Sequence, residues 1–189
     1  LQTIGLNNRW LDARNFINTT EDYRQARINW EATEEIIANR LRPLVNRQLV
    51  ITQGFIGRTN RNNTTTLGRE GSDYSASIFA YCLNAESVTI WKDVAGVMNA
   101  DPKRMENTQI MREISFSKAI ELAYYGATIL HPKTIQPLLR KSIPLFVKSF
   151  INPDAEGSVV KAIDVKDEES VACYIFKDDE IIGLRDRKY

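Results

Sequence analysis

"TTTLGREGSDYSAS", Thr64 to Ser77, sets a glycine-rich turn ahead of an apolar run. It lies between two short apolar, β-branched runs, "LVITQGF" (Leu49–Phe55) and "SVTIW" (Ser87–Trp91), which read as strands. The segment Tyr74–Leu83 carries Ala76, Ile78, Phe79, Ala80 and Cys82 and is predicted to be a helix. The turn neither ends in Gly-Lys-Ser/Thr nor spells G-x-G-x-x-G, so neither common phosphate loop explains it.

Outward from this unit the same grammar repeats. "SFSKAIELAYYG" is predicted to be a helix with Ser115 as N-cap and Gly126 just past its end. "HPKTIQPLLRKS" places Pro132 where a first helical turn tolerates it, and "IPLFVKSF" (Ile143–Phe150) reads as a third strand. Upstream, an apolar stripe through Ala32, Ile36, Ile37 and Leu41 predicts a helix over residues 20–42 that Pro43 stops. Strands alternating with helices through short links imply an α/β domain with a largely parallel sheet. At "INPDAEGSVVKAIDVKDEES" (Ile151–Ser170) the composition turns polar and charged, as in a linker. "VACYIF", "KDDE" and "IIGL" beyond it read as strand, turn and strand, and a lone hairpin is marginal in water, so they predict the start of a second domain.

The bulk numbers exclude several classes. The chain has 189 residues, 43% hydrophobic and 26% charged, with 25 basic against 24 acidic residues and a net charge of +1. That balance does not suit a general nucleic-acid or membrane-surface binder. No apolar run approaches the ~20 residues that span a bilayer. Cys82 and Cys173 lie far apart in apolar surroundings and read as buried thiols in a reducing, cytoplasmic compartment.

In open α/β sheets ligands sit beyond the carboxyl ends of the strands. Two polar stretches leave strands there, Gly54–Asp73 and Lys92–Lys103. The first offers Arg69, Ser72 and Asp73 around Gly68 and Gly71. A guanidinium grips a carboxylate bidentately, and an aspartate nearby receives an ammonium, so the pair suits a zwitterionic amino acid. A purely structural account stays open, with Ser72 as N-cap and Asp73 favouring the positive helix end. In the second, Asp93 suits a ribose hydroxyl or a metal-bound water and Lys103 a phosphate, although a solvated turn has the same composition. His131 is the sole histidine and has no nucleophile elbow to serve, so it reads as a locally bonded helix-boundary residue. No Cys/His cluster has zinc spacing.

In order and spacing, "ITQGFIG" (51–57), "TTTLGREGSD" (64–73), "WKDVAGVMNADPK" (91–103), "ELAYYGATILHPKTI" (121–135) and "NPDAEGSVV" (152–160) resemble the aspartate kinase family, of the amino acid kinase fold. "WLDARNFI" (Trp10–Ile17) resembles the segment that precedes them. The resemblance implies a three-layer α/β/α catalytic domain, carbamate kinase-like, followed by an ACT-type β segment. It implies transfer of the γ-phosphoryl of ATP, with Mg2+, to the β-carboxylate of L-aspartate, the first step toward lysine, threonine and methionine. By position, Arg69 would bind the α-carboxylate and Asp73 the α-amino group. Ser72, with the backbone at Glu70 and Gly71, would complete the pocket, and Phe55 would form one wall. Lys92 and Asp93 would lie along adenine and ribose, Met98 would replace a frequent tyrosine, Lys103 would approach the phosphates, and Thr128 and Ile129 would line the base. An aspartate carboxylate of pKa near ~4 is already ionised at neutral pH, so no general base is needed.

Three departures stand out. Glu70 replaces a glycine of "GRGGSD", Thr128 a lysine of "GAKVLHP", and Lys92 a threonine. The family's "KFGG" strand and phosphate-contacting lysine do not occur in these residues, and none within them is assigned as catalytic. The expected organisation is the carboxyl-terminal part of a catalytic domain over 1–160, a linker over 161–170, and an opening ACT domain over 171–189. Homo-oligomers would form through that regulatory domain, and the 189 residues alone would have little or no kinase activity. Two other readings are a related acyl-phosphate kinase for another amino acid and a non-catalytic amino-acid sensor. Fusion to homoserine dehydrogenase stays open.

Overall fold

The two runs that read most simply as strands end up in different units. The computed structural model describes residues 2–124, 129–163, 173–177 and 180–184, and the chain divides into two compact units, Leu1–Ala85 and Glu86–Tyr189.

In the first unit, β1 (Asn8–Leu11) pairs in parallel with β2 (Leu49–Thr52), Leu11 opposite Thr52. Between them runs a helical stretch, α1 (Trp30–Ile36), a π-helical segment (Ile37–Leu41) and α2 (Arg42–Val45). Two expectations are corrected here. The helix starts at its N-cap Asn29, whose side chain accepts the N–H of Ala32 at 3.3 Å, so residues 20–29 precede it. Pro43 lies inside α2 and does not end the helix. Proline cannot donate to the carbonyl four residues back, and the widened π turn just before it takes up that loss. The helical stretch turns Thr33, Ile37 and Leu41 inward, and Ile37 and Leu41 join Phe16, Ile17, Leu67 and Ile78 in one apolar cluster.

The stretch expected as a polar loop contains a hairpin, β3 (Ile56–Arg58) against β4 (Thr64–Thr66). Thr59, 1% exposed, organises its turn by accepting the N–H groups of Arg61 and Asn63, each at 3.2 Å. Then comes α3 (Gly71–Leu83), longer at its start than periodicity predicted because Gly71 and Ser72 are already helical.

The second unit is built on a four-stranded sheet, β5 (Val88–Lys92), β6 (Glu113–Ser115), β7 (Leu145–Ser149) and β8 (Ser158–Lys161), in the order β5-β7-β8-β6. The pairs β5–β7 and β6–β8 are parallel and β7–β8 is antiparallel. Val88, Ile90, Ile114, Leu145, Val147 and Val160 are buried, whereas Thr89 and Trp91 on the alternate positions of β5 are exposed. The polar stretch read as a linker therefore contains a strand inside the sheet, β8. Two valines among charged neighbours give too short a signal, and burial of Val160 with Ser158 holds it in place.

Two helices follow β6. In α4 (Phe116–Tyr124), Ser115 accepts the N–H of Lys118 at 3.1 Å, the cap its sequence predicted. In α5 (Pro132–Arg140), Pro132 opens the first turn and the His131 ring Nδ1 accepts the N–H of Lys133 at 3.1 Å, so this histidine is a locally bonded cap. Cys82 and Cys173 are buried free thiols, as read. The final strands, β9 (Cys173–Lys177) and β10 (Glu180–Leu184), form an antiparallel hairpin, and Cys173 lies 3.6 Å from the sulfur of Met111. Gly126, Thr128 and residues 164–170 of the expected linker lie outside the described residues. No helix among the described residues is long and apolar enough to cross a membrane.

Candidate functional site

Parallel pairing brings the chain ends after β1 and β2 side by side, which is where Asp12 and Gln53 leave the sheet. Gln53 Nε2 donates to Asp12 Oδ1 at 2.8 Å, and its Oε1 accepts the N–H of Ala13 at 3.3 Å. Arg14 Nε lies 3.0 Å from both carboxylate oxygens of Asp12 and its Nη2 lies 2.5 Å from Oδ2, while Nη1 donates to Thr64 Oγ1 at 3.2 Å. The Arg14 hydrogen bonds hold the Asp12 carboxyl at about 2, below its ordinary 3.8. Its contribution to stability is therefore present above 3.8 and is lost as pH falls through about 2. Asp12→Asn keeps a capping side chain and removes only the charge. We expect it to lower stability at pH 6 by about 1 kcal/mol or less, because the pair is open to water. The gap from the parent, measured by denaturant unfolding, narrows between pH 4 and pH 2.

Beyond Gln53 the chain turns sharply. Phe55 has φ 75°, in the left-handed region where a bulky residue is strained. Its N–H donates to Ser75 Oγ at 2.8 Å and its carbonyl accepts the N–H of Leu67 at 2.9 Å. A Cβ on Gly71 would sit 2.6 Å from Phe55 Cδ2, and one on Gly54 would sit 2.9 Å from Ser72 Cα. Phe55 thus lies against the first turn of α3, 42% exposed, with an aromatic surface still open.

The entrance to α3 differs from its sequence reading in one respect. Its N-cap is Glu70, at φ 53° and ψ 31°, with no side-chain cap bond; Ser72 is exposed in the first turn. The position favours glycine. We expect Glu70→Gly to raise stability by about 1 kcal/mol, while Glu70→Ala, which keeps a Cβ, gains none; equilibrium denaturation separates the two. Arg69, one residue earlier, is exposed, and no hydrogen bond or ion pair among the described residues engages its guanidinium. Asp73 is half-buried in the first turn. Phe55, Arg69, Glu70, Gly71, Ser72 and Asp73 are therefore brought to one helix mouth, with a cation able to take a carboxylate and an anion able to take an ammonium.

In the second unit, Lys92 ends β5 and its carbonyl accepts the N–H of Phe150 at 2.9 Å, and Asp93 is exposed just beyond. The following loop folds back on itself. Met98 bridges Ile110, the Asn99 N–H donates to the Gln109 carbonyl at 3.0 Å, and the Met111 N–H to the Val97 carbonyl at 2.8 Å. Ser158, 1% exposed, anchors it by accepting the Val97 N–H at 2.8 Å. Lys103 sits exposed in a turn where its N–H donates to Asp101 Oδ1 at 2.9 Å. Ile129 is half-buried and lines a small apolar crevice with Val97, beside Met98. A larger cavity of about 500 Å3, lined by Arg112, Glu113, Phe146, Ser158 and Val159 among others, includes none of Lys92, Asp93, Met98, Lys103 and Ile129. The described residues hold no group of three or more His, Cys, Asp or Glu able to bind a metal.

Sequence reading missed Asp12, Arg14, Gln53, Ser75 and Ser158. "WLDARNFI" was the one signal for the first two. The serines are ordinary residues until the fold places their hydroxyls on distant N–H groups.

The amino acid kinase family matches residues 1–149. Lysine-sensitive aspartokinase 3 of Escherichia coli (strain K12) is 43% identical over 152 residues, 80% of this chain and 34% of that protein. A chloroplastic bifunctional aspartokinase/homoserine dehydrogenase 2 of Arabidopsis thaliana is 37% identical over 162 residues, 85% of this chain and 18% of that protein. The crystal structure of E. coli aspartokinase III in complex with aspartate and ADP matches with a TM-score of 0.83 at 40% identity, covering 86% of this chain and 36% of that one. The chain therefore spans 34% and 18% of the lengths of these two curated relatives.

Proposed function

The chain belongs to the amino acid kinase family, and from that premise we propose that it is part of an aspartate kinase, transferring the γ-phosphoryl of ATP to the β-carboxylate of L-aspartate. The observation that carries this reading is the mouth of α3, where an exposed Arg69, its guanidinium unengaged among the described residues, stands four residues before the half-buried Asp73. The guanidinium takes the α-carboxylate of aspartate in a bidentate pair, and Asp73 takes the α-ammonium. Both groups read what every amino acid shares, so the side-chain carboxylate remains free to react. Phe55 walls the site, and Ser72 with the Glu70 and Gly71 backbone fills the remaining edge.

The reaction needs little else from the first unit. A carboxylate nucleophile is ionised at neutral pH, so catalysis rests on positioning and on neutralising phosphate charge. In the second unit, Lys92 and Asp93 serve adenine and ribose, Lys103 the phosphates, and Met98, Ile129 and Thr128 the base. Mg2+ comes with the nucleotide phosphates, as this cation commonly does. Residues 1–160 supply the carboxyl-terminal part of the catalytic domain, and β9–β10 open an ACT-type regulatory domain. Through that domain the protein forms homo-oligomers, in the cytoplasm.

The test is phosphoryl transfer by the protein that carries this chain, with ATP and a panel of aspartate, glutamate and asparagine. The expected result is turnover on aspartate alone. Equal turnover on glutamate points to a related acyl-phosphate kinase. Amino-acid binding by calorimetry without any binding of ATP-Mg2+ points to a sensor, and either result overturns the proposal.

A further inference from the structure

We propose that Ser75 is a positioning residue for the amino-acid site, holding Phe55 in its strained conformation against the first turn of α3. The inference rests on the reading that the α3 mouth binds the amino acid. Ser75 does not reach that mouth itself, since it is 2% exposed and lies under the first turn. Its hydroxyl accepts the Phe55 N–H at 2.8 Å and donates to the Gly71 carbonyl at 2.8 Å, so one oxygen joins the wall of the site to its floor.

The geometry leaves Phe55 few other supports. Its φ of 75° is unfavourable for a phenylalanine. Its ring rests on Gly71, where no Cβ intervenes, and its peptide is fixed by Ser75 on one side and Leu67 on the other. A residue kept in a sparsely populated backbone region persists only when its surroundings over-determine it, and such residues gather at ligand clamps. Removing the hydroxyl leaves the Phe55 N–H without its partner in a part-buried position, and the backbone gains by relaxing toward negative φ. Relaxation moves the ring off Gly71 and so off the first turn of α3. Threonine at 75 retains the oxygen, and alanine does not.

The experiment compares Ser75→Ala and Ser75→Thr with the parent in the protein that carries this chain. Steady-state kinetics supply the Michaelis constants for aspartate and ATP, and hydrogen exchange follows the Phe55 amide. The expected result is a rise of about tenfold in the Michaelis constant for aspartate in Ser75→Ala, with that for ATP within about twofold. Ser75→Thr restores the parental value, and protection of the Phe55 amide is lost only in the alanine variant. A Michaelis constant for aspartate within twofold of the parent in Ser75→Ala overturns the proposal. So does an equal rise for both substrates, which marks general damage to the fold. If the parent turns over a different amino acid, the same comparison is made with that substrate. If it turns over none, the functional reading fails separately, and Phe55 protection unchanged in Ser75→Ala then overturns the clamp itself.

Discussion

Arg69→Ala is expected to raise the Michaelis constant for aspartate about a hundredfold, an effect of about 3 kcal/mol, with little change in that for ATP. The magnitude follows from the bidentate, charge-assisted pair proposed for Arg69, in which both hydrogen bonds go together. Arg69→Lys recovers only part of the loss, because an ammonium offers a point charge in place of a planar fork. Neither variant shifts the melting temperature appreciably, since Arg69 is exposed and no internal partner among the described residues depends on it. Steady-state kinetics with both substrates, alongside a thermal melt, check the whole set. A loss of stability comparable to the loss of binding would give Arg69 a structural role instead.

Gly157→Ala is the largest expected effect on stability, a loss of about 3 kcal/mol or more. Gly157 has φ 73°, and a Cβ there would lie 2.2 Å from the carbonyl oxygen of Val147. That oxygen belongs to β7, which is paired on both sides, so it has no direction in which to yield. The residue next to Gly157 is Ser158, whose hydroxyl anchors the loop that carries Met98. Denaturant unfolding is expected to show the loss, and nucleotide affinity at temperatures where the variant stays folded is expected to fall with it. Gly5→Ala is the comparison, because its Cβ would meet nothing within 4 Å although its φ is also positive, at 78°. It carries the backbone cost without the collision, and the difference between the variants isolates the latter.

The elements that were legible in the sequence share one property, which is that their signal is local. Strands β2, β5 and β7 are short β-branched runs, and α4 and α5 announce their starts through Ser115 and through His131-Pro132. Where the deciding interaction is distant, the reading went astray. Glu70 takes the cap position of α3 because Gly68 and Glu70 both adopt positive φ, and nothing in Ser72-Asp73 reveals that. The hairpin β3–β4 hides in a run of Asn and Thr that resembles a loop. Asp12 and Gln53 are 41 residues apart, and only the parallel pairing of β1 with β2 makes them neighbours. Arg69 and Asp73 could be proposed from the sequence because their chemistry is read from one short segment. The support beneath them, Ser75 holding Phe55 across 20 positions, was not.

The place of β8 in the sheet has a consequence for how the second unit is made. Among the described residues β6 bonds only to β8, and β8 lies between it and β7, yet β8 is the last of the four strands to be synthesised. Until Lys161 has left the ribosome, β6 has no neighbour among the described strands, and β5–β7 lacks the partner that β8 supplies. Non-local closures of this kind are slow and leave the waiting edges open to wrong partners. A nascent chain whose Ser158 has not yet emerged is accordingly a candidate for chaperone capture, and one from which Lys161 has emerged is the first that can complete these four strands.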